Sequence, residues 1–426
     1  MTQAPSMTFD DRDEFGRKKI AERIITLLNS DITVSPLVLD GSWGLGKTEF
    51  CQKLISLMKK DDTHHLVYID AFKADHADEP LLTVLAKVIE VLPEDKKKEK
   101  LIEKALPALR YGLKVGGKAL VAHVLRQDTD SIFDDFDQEV KAAADKAIDE
   151  SVESLLNDHV EADKNLRTLQ SALKSVAAEK PIVLFVDELD RCRPDFAVLM
   201  LETIKHTFDV EGVQFVLVTN TDQLKASINH CYGSAIDAKR YIDKFVKFSL
   251  SLPHTYDNRQ HNAEVSAVTH YKNLLEKSDI LCELKLDKYA HFWLAERVIN
   301  ENSISLREVE TLIRHLEIYQ ILYGHEPLSN QEQWMVKLMR VLGAMMVCFK
   351  PNMAKNTVSD SLDALELATF MGVTGPLSFG NRRAPTHPEM LMFMLAQSCK
   401  YNGEKFKPSR DQRVRWDNEE QGYFQG

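Results

Sequence analysis

The sequence predicts an α/β domain built on a parallel five-stranded core sheet, interrupted by a helical insertion and followed by a mainly α-helical C-terminal region. Three observations carry this expectation. Short apolar runs alternate with segments of helical period, the pattern of strands joined by crossover helices. A glycine-rich loop stands between the first such run and the first strongly amphipathic segment after it. The run Ile182–Val186 (IVLFV) is continuous, β-branched and aromatic, as in a strand buried on both faces.

The elements follow in order. Strands are expected at Leu37–Leu39, Leu66–Ile69, Ile182–Val186, Val213–Thr219 and Phe245–Leu252, the last ended by Pro253. Residues 10–79 and 181–253 then form the core domain, and residues 80–180 a solvated helical insertion. That insertion is charge-rich at Asp95–Lys100, amphipathic at Ala105–Leu125 and acidic at Asp128–Asp137. From His254 the pattern reads as helical, giving a lid and C-terminal domain over residues 254–400. Leu306, Val309, Leu312, Ile313, Leu316 and Tyr319 share one helix face. Met335, Met339, Met345 and Met346 read as core filling. Leu377–Pro385 reads as a loop, and residues 401–426 as a weakly ordered tail.

Composition narrows the classes. A chain of 426 residues exceeds one average core, so two or three domains are expected. Its formal net charge of −11 argues against a surface given over to nucleic acid, which needs Lys and Arg. The six cysteines form no C-x-x-C pair, which suits reduced thiols and a cytoplasmic setting. The N-terminus lacks the apolar core of a secretory signal, and no apolar run reaches the length of a membrane span. The histidines at 64, 65, 206, 230 and 270 show no metal-ligand spacing. The closing Glu420–Gly426 either resembles a viral-protease cleavage tag or is natural sequence.

The loop Gly41-Ser42-Trp43-Gly44-Leu45-Gly46-Lys47-Thr48 matches G-x-x-x-x-G-K-[ST]. Its glycines let backbone N–H groups turn inward around phosphates, and the helix that follows adds its positive N-terminal end. Lys47 is expected to reach the β- and γ-phosphates, and the Thr48 hydroxyl to ligate Mg²⁺. The expected cofactors are therefore ATP and Mg. The strand Ile182–Val186 runs into Asp187 and Glu188. Asp187 suits the metal that Thr48 also binds, and Glu188 suits a general base for an attacking water. One strand between loop strand and acidic strand indicates the division of P-loop NTPases with an extra central strand and a catalytic glutamate.

Several segments together resemble the KAP family of P-loop NTPases. Asp187-Glu188-Leu189-Asp190-Arg191-Cys192 is similar to its D-D-L-D-R-C segment, with Glu in place of the second Asp. The loop resembles G-x-W-G-x-G-K-[ST], and Asp13-Glu14-Phe15-Gly16-Arg17 the D-x-x-G-R entry. Asp70-Ala71-Phe72 stands where the family has N-A-W. Tyr241-Ile242-Asp243-Lys244-Phe245 resembles Y-L-E-K-I, and Ser305-Leu306-Arg307-Glu308-Val309 the arginine-bearing lid helix. The resemblance implies an ATPase that drives a switch in a larger assembly with a protein partner, and bacterial members are associated with exclusion of phage. Many members carry membrane helices after the second strand, where this chain has the charged stretch 80–180.

Further candidates keep two readings each. Asn220 is either a sensor of the γ-phosphate or water, like the AAA+ residue, or a turn residue. Arg307 either reaches the γ-phosphate or is a surface charge on its helix. Arg191, Arg240 and Lys244 are finger candidates or members of ordinary ion pairs, and Gly16 and Arg17 are candidates to border the adenine. The basic and aromatic stretch Lys400–Trp416 is a flexible tail or a nucleic-acid contact, the tail being favoured. Two other functions stay open: a nucleotide-gated scaffold with little hydrolysis, and an ATP-dependent nucleic-acid handler. A homo-oligomer fits any of these.

Overall fold

The computed structural model describes residues 7–77, 79–94, 96–105, 152–257, 263–324, 327–330, 332–375 and 386–406. The acidic segment Asp128–Asp137 and the loop Leu377–Pro385 lie outside them, as does Ala105–Leu125 beyond Ala105 itself. The chain divides into two compact units, Met1–Pro253 and His254–Gly426.

The first unit is built on five parallel strands: β1 (Leu37–Asp40), β2 (His65–Asp70), β3 (Ile182–Asp187), β4 (Val213–Thr219) and β5 (Phe248–Ser251). Their order across the sheet is β2-β3-β4-β1-β5. The expected extra strand is thus β4, which lies between the loop strand and the acidic strand.

Period-two alternation sorts the strand side chains onto two covered faces. Ile182, Leu184 and Val186 face one core with Val67, Ile69, Phe215 and Leu217. Val183 and Phe185 face the other with Leu37, Leu39, Val216 and Val218. Helices α1 (Lys18–Leu28) and α2 (Lys47–Met58) cover the second face. In α2 the buried Phe50, Leu54, Ile55 and Met58 fall at helical spacing. Helices α3 (Pro80–Val91), α4 (Val152–Ala177), α5 (Pro194–Thr207), α6 (Thr221–Tyr232) and the short α7 (Ala238–Ile242) supply the first face.

Three expectations change here. The stretch 80–180 is not solvated at its ends: α3 buries Leu82, Val84, Leu85, Val88 and Ile89, and α4 buries Leu169, Leu173, Val176 and Ala177. Its charges had masked two amphipathic faces. The last strand starts at Phe248 rather than Phe245, because Phe245 and Val246 still donate their N–H groups to Ile242 O in the turn after α7. The segment from His254 is not helical throughout, since β6 (Thr255–Asp257) pairs antiparallel with β7 (Ala263–Val265).

The second unit is otherwise helical: α8 (Ser266–Lys277), α9 (Tyr289–Glu301), α10 (Leu306–Leu322), α11 (Trp334–Phe349), α12 (Pro351–Val358), α13 (Ala364–Phe370) and α14 (His387–Ala396). In α10 the face from Leu306 to Leu316 is buried as expected, while Tyr319 is half-buried. Met345 and Met346 fill the core, but Met339 is exposed and Met335 half-buried, so only part of that cluster is core. Residues 401–406 pack rather than trail: Phe406 is buried, Tyr401 O accepts from Ala364 N, and Asn402 Nδ2 donates to Asp363. No helix of the described residues is long and apolar enough to cross a membrane.

Candidate nucleotide site

The candidate site lies at the carboxyl ends of β1, β4 and β3, the edge where open parallel sheets bind ligands. β1 ends at Asp40 and runs into the loop. Gly44 and Gly46 have φ of 75° and 83°, a region other residues avoid, and Gly46 is the N-cap of α2. The turn they make brings the first N–H groups of α2 to the loop mouth, where a helix offers unpaired donors to an anion.

Lys47 is folded back over this loop. Its Nζ donates to Gly41 O at 2.6 Å and to Ser42 O at 3.2 Å. Burial pushes its ammonium below the ordinary lysine value, opposed by the nearby charges of Asp190, Asp187 and Asp40. The next residue, Thr48, is exposed, and its hydroxyl lies close enough to the Asp187 carboxylate to favour its charged form.

Asp187 closes β3 and is 1% exposed. Burial raises its pKa, and the nearby Thr48 hydroxyl, the Glu188 N–H (2.8 Å) and the Tyr68 hydroxyl (3.1 Å) hold it down. Tyr68, on β2 beside β3, is itself driven up by burial and by the Asp187 charge, so it stays a neutral donor. One hydroxyl beside one carboxylate is the donor set that suits Mg²⁺ carried on phosphate oxygens, since Mg²⁺ keeps waters and takes few protein ligands. The residues therefore fit the cofactor pair the motif implies.

Glu188 follows in the left-handed region, at φ 60°, which turns the chain off the strand into the 3₁₀ turn Leu189–Arg191. Its Oε1 accepts from Arg191 Nη1 at 2.8 Å. Arg191 is thereby engaged by the glutamate. Asn220 stands directly after β4. Its Oδ1 caps α6, accepting from Asp222 N (3.1 Å) and Gln223 N (3.5 Å). Its neighbour Thr221 donates its N–H to Asp40, at the start of the loop, at 2.9 Å. The turn reading of Asn220 is thus realised in the backbone, and Nδ2 carries the donors a sensor needs.

The structure thus gathers Gly41–Thr48, Asp187, Glu188 and Asn220 at one edge. Arg191 joins them through its pair with Glu188. Arg240 forms an exposed pair with Asp237 at 3.2 Å, and Lys244 lies over the Tyr241 ring at 5.2 Å. Arg307 is exposed in the first turn of α10, within the second unit. Arg17 is buried, and its Nη1 donates to Leu45 O at 2.9 Å, bracing the phosphate loop from behind. Its Nη2 reaches Pro253 O at 3.5 Å and its guanidinium lies 4.8 Å from the Phe15 ring centre. Burial brings its pKa down to about 10. Asp13 caps the same corner, accepting from the N–H groups of Arg17 and Lys18. The D-x-x-G-R entry is therefore a strut for the loop, with Nη1 and Nη2 of Arg17 given to backbone carbonyls.

The model of the KAP family P-loop domain matches residues 17–323. The chain belongs to the KAP family of P-loop NTPases. No curated protein matches it. Membership makes this a nucleotide-binding NTPase fold, and the KAP domain's match spans both the loop and the acidic strand.

Two residues of the KAP chain escaped the sequence reading. Asp190 accepts from Trp43 Nε1 at 2.6 Å and from Thr219 Oγ1 at 3.2 Å. Its place in the D-E-L-D-R-C segment marked it as part of a motif but gave it no task. Arg193 is similar: it clasps the buried Asp75 through Nε at 3.1 Å and donates Nη2 to Asp75 O at 2.8 Å, tying the start of α5 to the turn after β2.

Proposed function

We propose that this KAP chain is a Mg-dependent ATPase whose turnover drives a conformational or assembly switch in a larger complex. The observation that carries the proposal is the common edge on which β1 runs into the phosphate loop and β3 ends in Asp187, one residue before Glu188, with Asp187 among the charges acting on Lys47. It joins the phosphate-binding half of the site to the acidic half across β4. Lys47 exchanges the Gly41 and Ser42 carbonyls for phosphate oxygens. Thr48 and Asp187 would hold Mg²⁺, which would neutralise charge on phosphate oxygens. Glu188 accepts the proton of the attacking water, for which a carboxylate has a second oxygen beyond the one Arg191 engages. Asn220 Nδ2 orients that water or the γ-phosphate, and Arg307 is the lid's cation.

ATP turnover by the full chain with Mg²⁺ tests this. Glu188→Gln should lose at least about a hundredfold in turnover while nucleotide affinity stays within about threefold. Lys47→Ala should lose nucleotide affinity. Turnover that survives Glu188→Gln would remove the general-base role. Exclusion of phage, which the family resemblance brings with it, belongs to the same proposal, and plaque counts on cells carrying parent or Glu188→Gln protein test it.

A second reading, a nucleotide-gated scaffold with little hydrolysis, draws support from the Arg191–Glu188 pair, which engages the base. It expects ATP-dependent assembly that survives Glu188→Gln and fails in Lys47→Ala. Light scattering with and without nucleotide separates the two.

A further inference from the structure

Trp43 sits at the tip of the phosphate loop with half of its surface exposed, so core packing does not set its place. A charge-assisted hydrogen bond to Asp190 does. Fixing a large, half-exposed side chain in one rotamer costs conformational entropy, and the short bond offsets that cost. The same carboxylate reaches Thr219, fully buried at the end of β4. Thr219 precedes Asn220, and Asp190 follows Glu188 by two residues in the turn off β3. One side chain therefore joins three pieces of backbone: the loop, the turn carrying Glu188, and the strand end carrying Asn220. Asp190 also stands first among the anions that favour the charged form of Lys47.

We propose that Trp43 and Asp190 form a positioning pair that sets the phosphate loop in register with Glu188 and Asn220. The inference rests on the ATPase reading and deepens it. Nucleotide entering the loop draws its backbone around the phosphates. The loop tip carries the indole N–H, the indole N–H carries Asp190, and Asp190 aligns the turn and the β4 end. Neither residue touches the reacting atoms.

The experiment uses the full chain with Trp43→Phe, which keeps a ring and removes the N–H, Asp190→Ala, and both together. Each single change should slow turnover at saturating ATP by about tenfold or more, while affinity for a non-hydrolysed ATP analogue moves less than about threefold. The double variant should be no slower than the worse single one, as for two halves of one bond. Asp190→Asn keeps an acceptor oxygen and should restore part of the loss. A form with Trp43 as its sole tryptophan (Trp293, Trp334 and Trp416 changed to Phe) should shift its emission when the analogue and Mg²⁺ are added, and Asp190→Ala should abolish that shift.

Turnover within about twofold of the parent, or losses that multiply in the double variant, would overturn the pairing. So would an emission shift that is missing in the parent or survives Asp190→Ala. A parent that hydrolyses no ATP sinks the ATPase reading separately, and the emission measurement then decides the pairing alone. If Asp190→Ala does not fold, Trp43→Phe and Asp190→Asn carry the same comparison.

Discussion

Arg17 illustrates how much rests on single buried polar groups. The residue is 6% exposed, and its guanidinium donates to the carbonyl of Leu45 inside the phosphate loop. Arg17→Ala should leave that carbonyl without its buried donor and cost about 2–3 kcal/mol, read by chemical denaturation. Arg17→Lys should not rescue it, because one ammonium cannot span Leu45 O and Pro253 O as a planar fork does. Nucleotide affinity should fall in both. At this scale the sequence was legible where chemistry restricts residue type: glycines at 44 and 46 for positive φ, Lys47 for phosphate, an acid at the strand end. It was silent on Arg17 as a strut and on Asp190 beneath Trp43. Those are contacts between residues 28 and 147 positions apart, and no local pattern marks them.

Elements were legible where one period dominated. β3 is buried along its whole length, and its alternating faces serve two cores, so a continuous apolar run was a sufficient signal. Phe245–Leu252 failed because two periods overlap: Tyr241, Ile242 and Phe245 pack as the end of a helix, and the strand begins after them. In the second unit, α10 opens with a capping box in which Ser305 and Glu308 satisfy each other's backbone donors. Ser305→Ala should cost about 1 kcal/mol of that unit's stability, measured as a lower midpoint in thermal denaturation. His291 on α9 has its pKa pushed down to about 4, first by burial and then by the Lys337 charge. Because the folded value is depressed, the stability it contributes is full above the ordinary value of 6.5 and is lost as pH falls through about 4. The second unit should therefore weaken across that window by an amount of order 2 kcal/mol, and His291→Gln should flatten the profile.

For the molecule as a whole, the sheet, both of its helical faces and the loop with its acidic partners lie within Met1–Pro253. That unit expressed alone should unfold cooperatively and bind nucleotide within about tenfold of the full chain, by calorimetry. Without Arg307 its turnover should be lower, and equal turnover would remove that residue from the proposed machinery. The strand order has a further bearing on how the protein is made. β1, which carries the loop, pairs with β4 and β5, not with its successor β2. As the chain leaves the ribosome, β1 has no strand to pair with until residues 213–219 emerge, and its second partner waits for residues 248–251. The long span from α3 to α4 must be synthesised in between. Closing so distant a contact is slow, and an apolar strand waiting without a neighbour exposes surface to other nascent chains. Translation stalled before residue 213 should thus leave a product unable to bind nucleotide and dependent on chaperones, although it already contains every residue of the phosphate loop.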